Sequence, residues 1–293
     1  MRVGEAYGTG RLGLSFELFP PKTAVGEEAL WTHLDELVSF KPSFITCTYG
    51  AGGSTRDKTL GIVAEVRRRY GVAVASHLTC VGATVGQLRE YVSEAQRRGV
   101  ENIVALRGDP PKGETSFQAT AGGLRYANEL VAMLRGEFPE FGIAVAGYPE
   151  KHQEAPSAAA DLANLKRKVE AGGDVVITQL FYNNADFFRF RSDCVKTGIR
   201  VPIVPGILPV TNFAQIQRIT SLCGACLPEE FVAALTACGD DEQRQFETGV
   251  EFATAQVQEL LDANVPGIHF YVLNKSQATA AVLRAVRMQT MNS

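Results

Sequence analysis

The decapeptide TYGAGGSTRD, residues 48–57, follows the apolar run SFITC (43–47) and decides between two folds. Glycines at the mouth of a strand are the usual mark of a phosphate cradle in a dinucleotide-binding fold. Here the spacing argues otherwise. No third glycine stands at the dinucleotide-fingerprint distance, and no Gly-Lys-Ser or Gly-Lys-Thr follows as in a P-loop. The stretch also belongs to the second strand of the chain, whereas the fingerprint occupies the first strand-to-helix turn. Ser54 with Asp57 instead has the spacing of a capping pair that opens a helix. The glycines therefore read as a loop of close backbone approach, on the face where a barrel enzyme keeps its site.

Outward from this loop the chain alternates short β-branched or apolar runs with longer amphipathic ones. The strand candidates are LGLSFELF (12–19), SFITCTY (43–49), VAVASHLT (72–79), NIVALR (102–107), GIAVAGY (142–148), DVVITQL (174–180), VPIVPGI (201–207) and GIHFYVL (267–273). Between them lie helical patterns, such as Leu88, Tyr91, Val92 and Ala95 at helical spacing. Thr84 with Gln87 forms a capping box at the start of that helix, and Gly99 marks its end. Eight strands, each followed by a helix and with no composition break, predict a (β/α)₈ TIM barrel, one domain over residues 1–293. An open doubly wound sheet is the alternative.

With 293 residues, 45% of them hydrophobic, there is ample material for a core. A net charge of −3 gives no drive toward nucleic acid or anionic lipid. The triplet Arg67–Arg68–Arg69 reads as a solvated helix face. The first residues hold no apolar stretch of signal-peptide length and no run of membrane-spanning length occurs, so the expected location is cytoplasmic. Six cysteines (Cys47, Cys80, Cys194, Cys223, Cys226 and Cys238) read as buried free thiols. The pair Cys223-x-x-Cys226 has no second Cys/His pair at metal-ligand spacing, so no metal site is expected.

Alternation along a strand sorts its residues by face. In LGLSFELF, Leu14, Phe16 and Leu18 suit the surrounding helices, which turns Ser15 and Glu17 into the barrel. His77 shares a face with Ala73 and Ala75, and Gln179 with Val175 and Ile177. Thr48 ends the second strand and Arg107–Gly108–Asp109 the fourth. Polar residues thus gather at the carboxyl ends of several strands, where barrel enzymes build their sites. Glu17, flanked by Phe16, Leu18, Phe19 and Pro20, is expected to be desolvated, with a raised pKa suited to a general acid. Asp109, beside an exposed Gly-Pro-Pro turn, is expected to stay ionised as a fixed anion. Asp161, Asn164 and Lys168 share one helix face, which taken alone reads as a solvated stripe. His33 and His269 have no polar constellation around them in the sequence and read as structural.

Several segments together resemble methylenetetrahydrofolate reductase. They are FELFPPKT (16–23), TYGAGGSTRDKT (48–59), SHLTC (76–80), NIVALRGDPP (102–111), GYPEKHQEAPS (147–157), DLANLKRKVEAGGDVVITQLFYN (161–183), VPGILPVTNF (204–213) and HFYVLN (269–274). They run in order over essentially the whole chain, which is similar to the bacterial-type enzyme, a catalytic barrel without the regulatory domain of eukaryotic relatives. The resemblance implies FAD in the mouth of the barrel, reduced by NADH or NADPH. The reduced flavin would then convert 5,10-methylenetetrahydrofolate to 5-methyltetrahydrofolate by ping-pong kinetics, supplying methyl groups for methionine synthesis. It also implies a homo-oligomer whose partners are small molecules, with neither nucleic acid nor membrane.

By the same resemblance, Glu17 is the general acid that assists opening of the imidazolidine ring, and Asp109 the anion that favours the resulting 5-iminium cation. The FAD contacts it implies are Thr48, Tyr49, Ala51, His77, Arg107, Gly108, Asp109, Tyr126, Ala127, Tyr148, His152, Ala155, Asp161, Asn164, Arg167 and Lys168. The helical stripe is thereby promoted to cofactor contact. Folate would meet Glu17, Asp109, Gln179, Gln215 and Lys275. Lys275 stands where family members commonly carry arginine, keeping the charge but not the two-pronged geometry. Ile219 stands where some relatives place an aromatic residue near the nicotinamide. The rival readings are a non-flavin barrel, either a folate-dependent methyltransferase or an aldolase-like enzyme, and a non-catalytic binding protein on a decayed barrel.

Overall fold

The structure, a computed structural model, describes residues 1–8, 12–48, 56–110, 113 and 117–286. Its strands are β1 (Gly13–Leu18), β2 (Phe44–Cys47), β3 (Ala73–Thr79), β4 (Asn102–Leu106), β5 (Gly142–Gly147), β6 (Val175–Thr178), β7 (Ile203–Val204), β8 (Gly206–Ile207) and β9 (Gly267–Tyr271). The helices are α1 (Val3–Gly8), α2 (Ala24–Val38), α3 (Arg56–Tyr70), α4 (Val85–Arg97), α5 (Ala127–Glu137) and α6 (Ala158–Glu170), then α7 (Asn184–Lys196), α8 (Phe213–Cys223), α9 (Glu229–Ala237), α10 (Glu242–Asp262) and α11 (Gln277–Ala285).

Every strand pair is parallel, in the order β7-β6-β5-β4-β3-β2-β1-β9-β8. The sheet closes because β7 and β8 are two halves of one extended segment. Val204 pairs back to Ile177 of β6, and Gly206 pairs forward to His269 of β9. The run VPIVPGI is therefore not one continuous strand, as its apolar pattern predicts, but is broken at Pro205. Proline has no N–H to give to a ladder. Its carbonyl is still used, accepting from the His269 N–H at 3.0 Å. Beside the break, Gly206 N–H donates to Thr178 Oγ1 at 2.9 Å, and the Tyr271 hydroxyl donates to the Thr178 carbonyl at 2.7 Å.

The alternation read from β1 holds. Leu14, Phe16 and Leu18 join an outer core with Leu30, Leu34 and Leu37, which the 3.6-residue period places on one face of α2. Fully burying each such leucine contributes roughly 1.5–3 kcal/mol. Thr23 caps α2 by accepting from the Gly26 N–H, and the predicted capping box of Thr84 and Gln87 opens α4. That helix buries Leu88, Tyr91, Val92 and Ala95, as their spacing predicts, and Gly99 follows its end with φ +77°. The Ser54–Asp57 pairing lies partly outside the described residues.

Inside the barrel a second core joins Phe44, Ala75, Val104, Ala144, Val175 and Val204 to Val3, Ala6 and Tyr7. The last three belong to α1, which the sequence pattern did not reveal. Val3 N–H donates to Asn102 Oδ1 at 2.8 Å, and Asn102 stands at the first position of β4. Thus α1 seals the amino-terminal end of the barrel, and the open end is the carboxyl one. No helix among the described residues is long and apolar enough to cross a membrane.

Candidate active site

At the carboxyl end of the strands the barrel opens into a cavity of about 1200 Å³. Glu17 lies at its base, buried, on the next-to-last position of β1. Register places it opposite Thr46 of β2 on one side and Tyr271 of β9 on the other. Two imidazoles converge on its Oε2: His77 Nε2 at 3.2 Å and His269 Nε2 at 3.4 Å. The His77 contact is a charge contact and not a hydrogen bond, and neither ring nitrogen of His77 has a hydrogen-bond partner among the described residues. Oε1 of Glu17 makes no hydrogen bond there either.

These partners reverse the expected pKa. Burial pushes the Glu17 carboxyl up, as its sequence neighbours imply, but the charge of His77 and the hydrogen bond from His269 outweigh it and bring the carboxyl down to about 2. His269 is likewise no isolated structural histidine. Its Nδ1 meets Ser15 Oγ at 2.6 Å, and Ser15 Oγ meets the Tyr7 hydroxyl at 2.5 Å. His33 does pair outside the site, with Ser276 Oγ at 2.9 Å.

The opposite wall comes from β4, β5 and α6. Arg107 follows β4 and makes a two-pronged contact with Glu154 at 2.5 and 2.7 Å, its guanidinium lying 5.0 Å from the centre of the Phe117 ring. Gly108 has φ +88°, and a Cβ there would overlap Val81, so no other residue fits the turn that carries Asp109. Asp109 is exposed and faces the cavity. On α6, Asp161 Oδ2 accepts from the His152 N–H at 2.9 Å, and Asn164 Oδ1 accepts from Arg167 at 2.6 Å. Lys168 Nζ donates to the Ala146 carbonyl at 2.5 Å. Burial lowers the Lys168 ammonium to about 8 despite the raising charge of Asp161. His152 is lowered too, by burial and then by Arg107, and sits edge-on to Tyr148 at 4.7 Å.

Of the residues singled out in the sequence, Thr48, His77 and Gln179 line this cavity with Glu17. So do Tyr126, Ala127, Tyr148, Ala155 and the α6 stripe of Asp161, Asn164, Arg167 and Lys168. The stripe forms part of the cavity wall, with Asn164 and Arg167 exposed. Gln215 and Lys275 are exposed and do not contribute to the wall, whereas Ile219 does. Tyr49 and Ala51 lie outside the described residues. The sequence reading missed His269, and with it Tyr271, Leu180 and Leu208 of the cavity wall. Polar character at inward positions of β9 would have flagged the histidine. Cys223 also lines the cavity and Cys226 is exposed, so only Cys47, Cys80, Cys194 and Cys238 are buried thiols as expected. Among the described residues, no cluster of three or more His, Cys, Asp or Glu side chains could hold a metal ion.

A closed parallel barrel with an inward carboxylate and a polar rim at its carboxyl end defines a TIM-barrel protein with an enzyme-like site. The same fold is seen in a Clostridium thermocellum protein described as binding two copies of 5-methyl-5,6,7,8-tetrahydrofolic acid. That likeness has a TM-score of 0.63 at 14% identity, covering 97% of this chain and 98% of the other. The chain belongs to the methylenetetrahydrofolate reductase family, whose sequence model matches residues 2–287. It is 42% identical to the 5,10-methylenetetrahydrofolate reductase of Pectobacterium carotovorum, over 93% of this chain and 89% of that protein. It is 39% identical to methylenetetrahydrofolate reductase (NADH) 1 of Zea mays, over 96% of this chain but 49% of that protein. The chain thus spans about half the length of its plant relative and most of its bacterial one.

Proposed function

We propose that this protein reduces 5,10-methylenetetrahydrofolate to 5-methyltetrahydrofolate, with reduced nicotinamide and folate taking turns at a bound FAD. The observation that carries the proposal is the single unengaged oxygen of Glu17 at the base of a cavity too large for one small ligand. Pockets for drug-sized molecules run to roughly 300–1000 Å³, and this one exceeds that range. Its residues fit the cofactor. Arg107, Arg167 and the partly desolvated Lys168 supply positive charge for a diphosphate, and His152, Asn164 and Tyr148 supply polar and aromatic contacts. When bound, FAD would take hydride from the nicotinamide and return it to the folate, chemistry that no side chain supplies.

The side chains handle charge and protons. Glu17 gives a proton to the folate nitrogen that leaves as the five-membered ring opens, and the carbon left behind becomes a methylene iminium that accepts hydride. In the substrate-free site the carboxyl is ionised at neutral pH, so it takes up that proton from solvent as the pterin covers it and displaces its remaining water. Asp109, held at the rim by the Gly108 turn, places a negative charge toward the cavity where the cation develops. The surrounding assembly would be a cytoplasmic homo-oligomer of this one barrel, feeding methyl groups to methionine synthesis.

The test is optical. Purified protein should be yellow, lose its flavin absorbance under NADH or NADPH without oxygen, and regain it on addition of methylenetetrahydrofolate. Colourless protein that FAD cannot reconstitute would point to a non-flavin barrel. Bleaching without recovery on folate would remove the proposed substrate.

A further inference from the structure

Behind Glu17 runs a buried chain of polar groups that leads away from the cavity. Tyr7 hydroxyl to Ser15 Oγ is 2.5 Å, Ser15 Oγ to His269 Nδ1 is 2.6 Å, and His269 Nε2 to Glu17 Oε2 is 3.4 Å. All four side chains are buried. The far end is built with care: Gly13 and Gly267 face each other across β1 and β9, and a Cβ at either would overlap the Tyr7 ring. Phe44 stacks on His269 at 6.4 Å, and Tyr271 stands edge-on to it at 5.2 Å.

We propose that Tyr7 and Ser15 lock His269 in its Nε2–H tautomer, making His269 a positioning residue that occupies Glu17 Oε2 and reserves Oε1 as the oxygen that carries the transferable proton. This rests on the reading of Glu17 as the general acid. The direction of the chain follows from its ends. Burial pushes the Tyr7 phenol well above its usual value, so it keeps its O–H, and the proposed chain has that O–H donate to Ser15. Ser15 then donates to Nδ1, and only Nε2 of a neutral His269 is left to carry hydrogen toward the carboxylate. The opposite tautomer would set the Nε2 lone pair against an ionised oxygen. Because the lock does not depend on the charge of Glu17, Oε2 stays occupied both before and after the proton leaves Oε1. The other titratable groups within electrostatic reach of this pair are His77 from β3, Cys47 from β2 and Tyr271 from β9, whose thiol and phenol are both raised by burial first.

Nitrogen NMR of histidine-labelled holoprotein at pH 8 reads the tautomer directly. We expect an unprotonated Nδ1 and a protonated Nε2 for His269, turning into a tautomer mixture in Ser15→Ala and, to a smaller degree, in Tyr7→Phe. An Nδ1–H tautomer in the wild type, or an unchanged spectrum in Ser15→Ala, overturns the proposal. Kinetically, His269→Leu should slow the folate half-reaction by about tenfold or more and move its pH profile, with nicotinamide-driven bleaching within about twofold. His269→Gln, which keeps an N–H donor, should recover part of the loss; equal loss in both half-reactions, or no recovery, also overturns it. If the wild type reduces no folate at all, the proposed function fails while the tautomer result stands by itself.

Discussion

The two walls of the cavity treat buried charge in opposite ways. On the β1–β9 side, Glu17 brings its partners with it: burial alone would raise the carboxyl, yet His77 and His269 carry it down to about 2. On the α6 side, Lys168 has an acceptor in the Ala146 carbonyl and Asp161 as a neighbouring charge, but burial still wins and lowers the ammonium to about 8. One wall has its charge compensated from within the protein. The other holds a cation short of compensation, which an anionic ligand would complete. A self-contained acid and an unmatched cation are what a site needs if one wall performs chemistry and the other grips a cofactor.

The largest expected effect breaks the first wall. Glu17→Gln keeps the shape and removes the exchangeable proton. We expect the folate half-reaction to fall by about 10²–10⁴-fold, the usual range for losing a general acid. Flavin reduction by NADH should stay within a few-fold, because it uses no proton from this position. Anaerobic stopped-flow traces of the two half-reactions separate these outcomes. Equal loss in both would mean that the two walls are not functionally distinct.

How far this contrast is legible in the sequence depends on how local its causes are. The inward direction of Ser15 and Glu17 follows from a two-residue period in one strand, and the capping box of α4 from four consecutive residues. The α6 stripe is visible as a face at helical spacing, although only the fold turns that face toward a cavity. The Glu17–His269 contact spans 252 residues and exists only because the sheet closes β1 onto β9. Sequence neighbours such as Phe16 and Phe19 report burial correctly, but they cannot report a partner delivered by closure, so the sign of the shift comes out reversed. Two further features escape for similar reasons. Helix α1 has six residues, two of them glycine, too few for a period to emerge. The break at Pro205 sits inside an apolar run whose two halves pair in different directions.

The second wall is sharpened by Lys168→Met, which keeps much of the stem and removes the charge. Hydrogen bonds to charged groups contribute about 1.5–3 kcal/mol, so we expect FAD to bind about 10- to 100-fold more weakly in the variant. Equilibrium dialysis or flavin fluorescence titration measures this. The same change should leave the FAD-free protein as stable as before, or slightly more so, since it removes a desolvated charge. Unchanged FAD affinity would detach this wall from the cofactor.

The smallest effect follows the pH: both groups should make stability rise with pH, Glu17 in an acid window and Lys168 in an alkaline one. Glu17 is depressed from 4.5 to about 2, so its stabilising contribution is complete above 4.5 and is lost as the pH falls toward 2. Lys168 is depressed from 10.5 to about 8. Between those values the unfolded chain binds the proton more readily than the folded one, so stability contributed by this group rises with pH over that window. Thermal melts of the FAD-free protein from pH 7 to 10.5 contain this gain among those of other groups, and the difference between wild type and Lys168→Met isolates it. We expect the wild type to gain a few degrees on the variant across the window. FAD should abolish the difference in slope, because a bound diphosphate restores the lysine toward its ordinary value. Parallel melting curves without FAD would mean that the α6 wall holds its cation as comfortably as the other wall holds its acid.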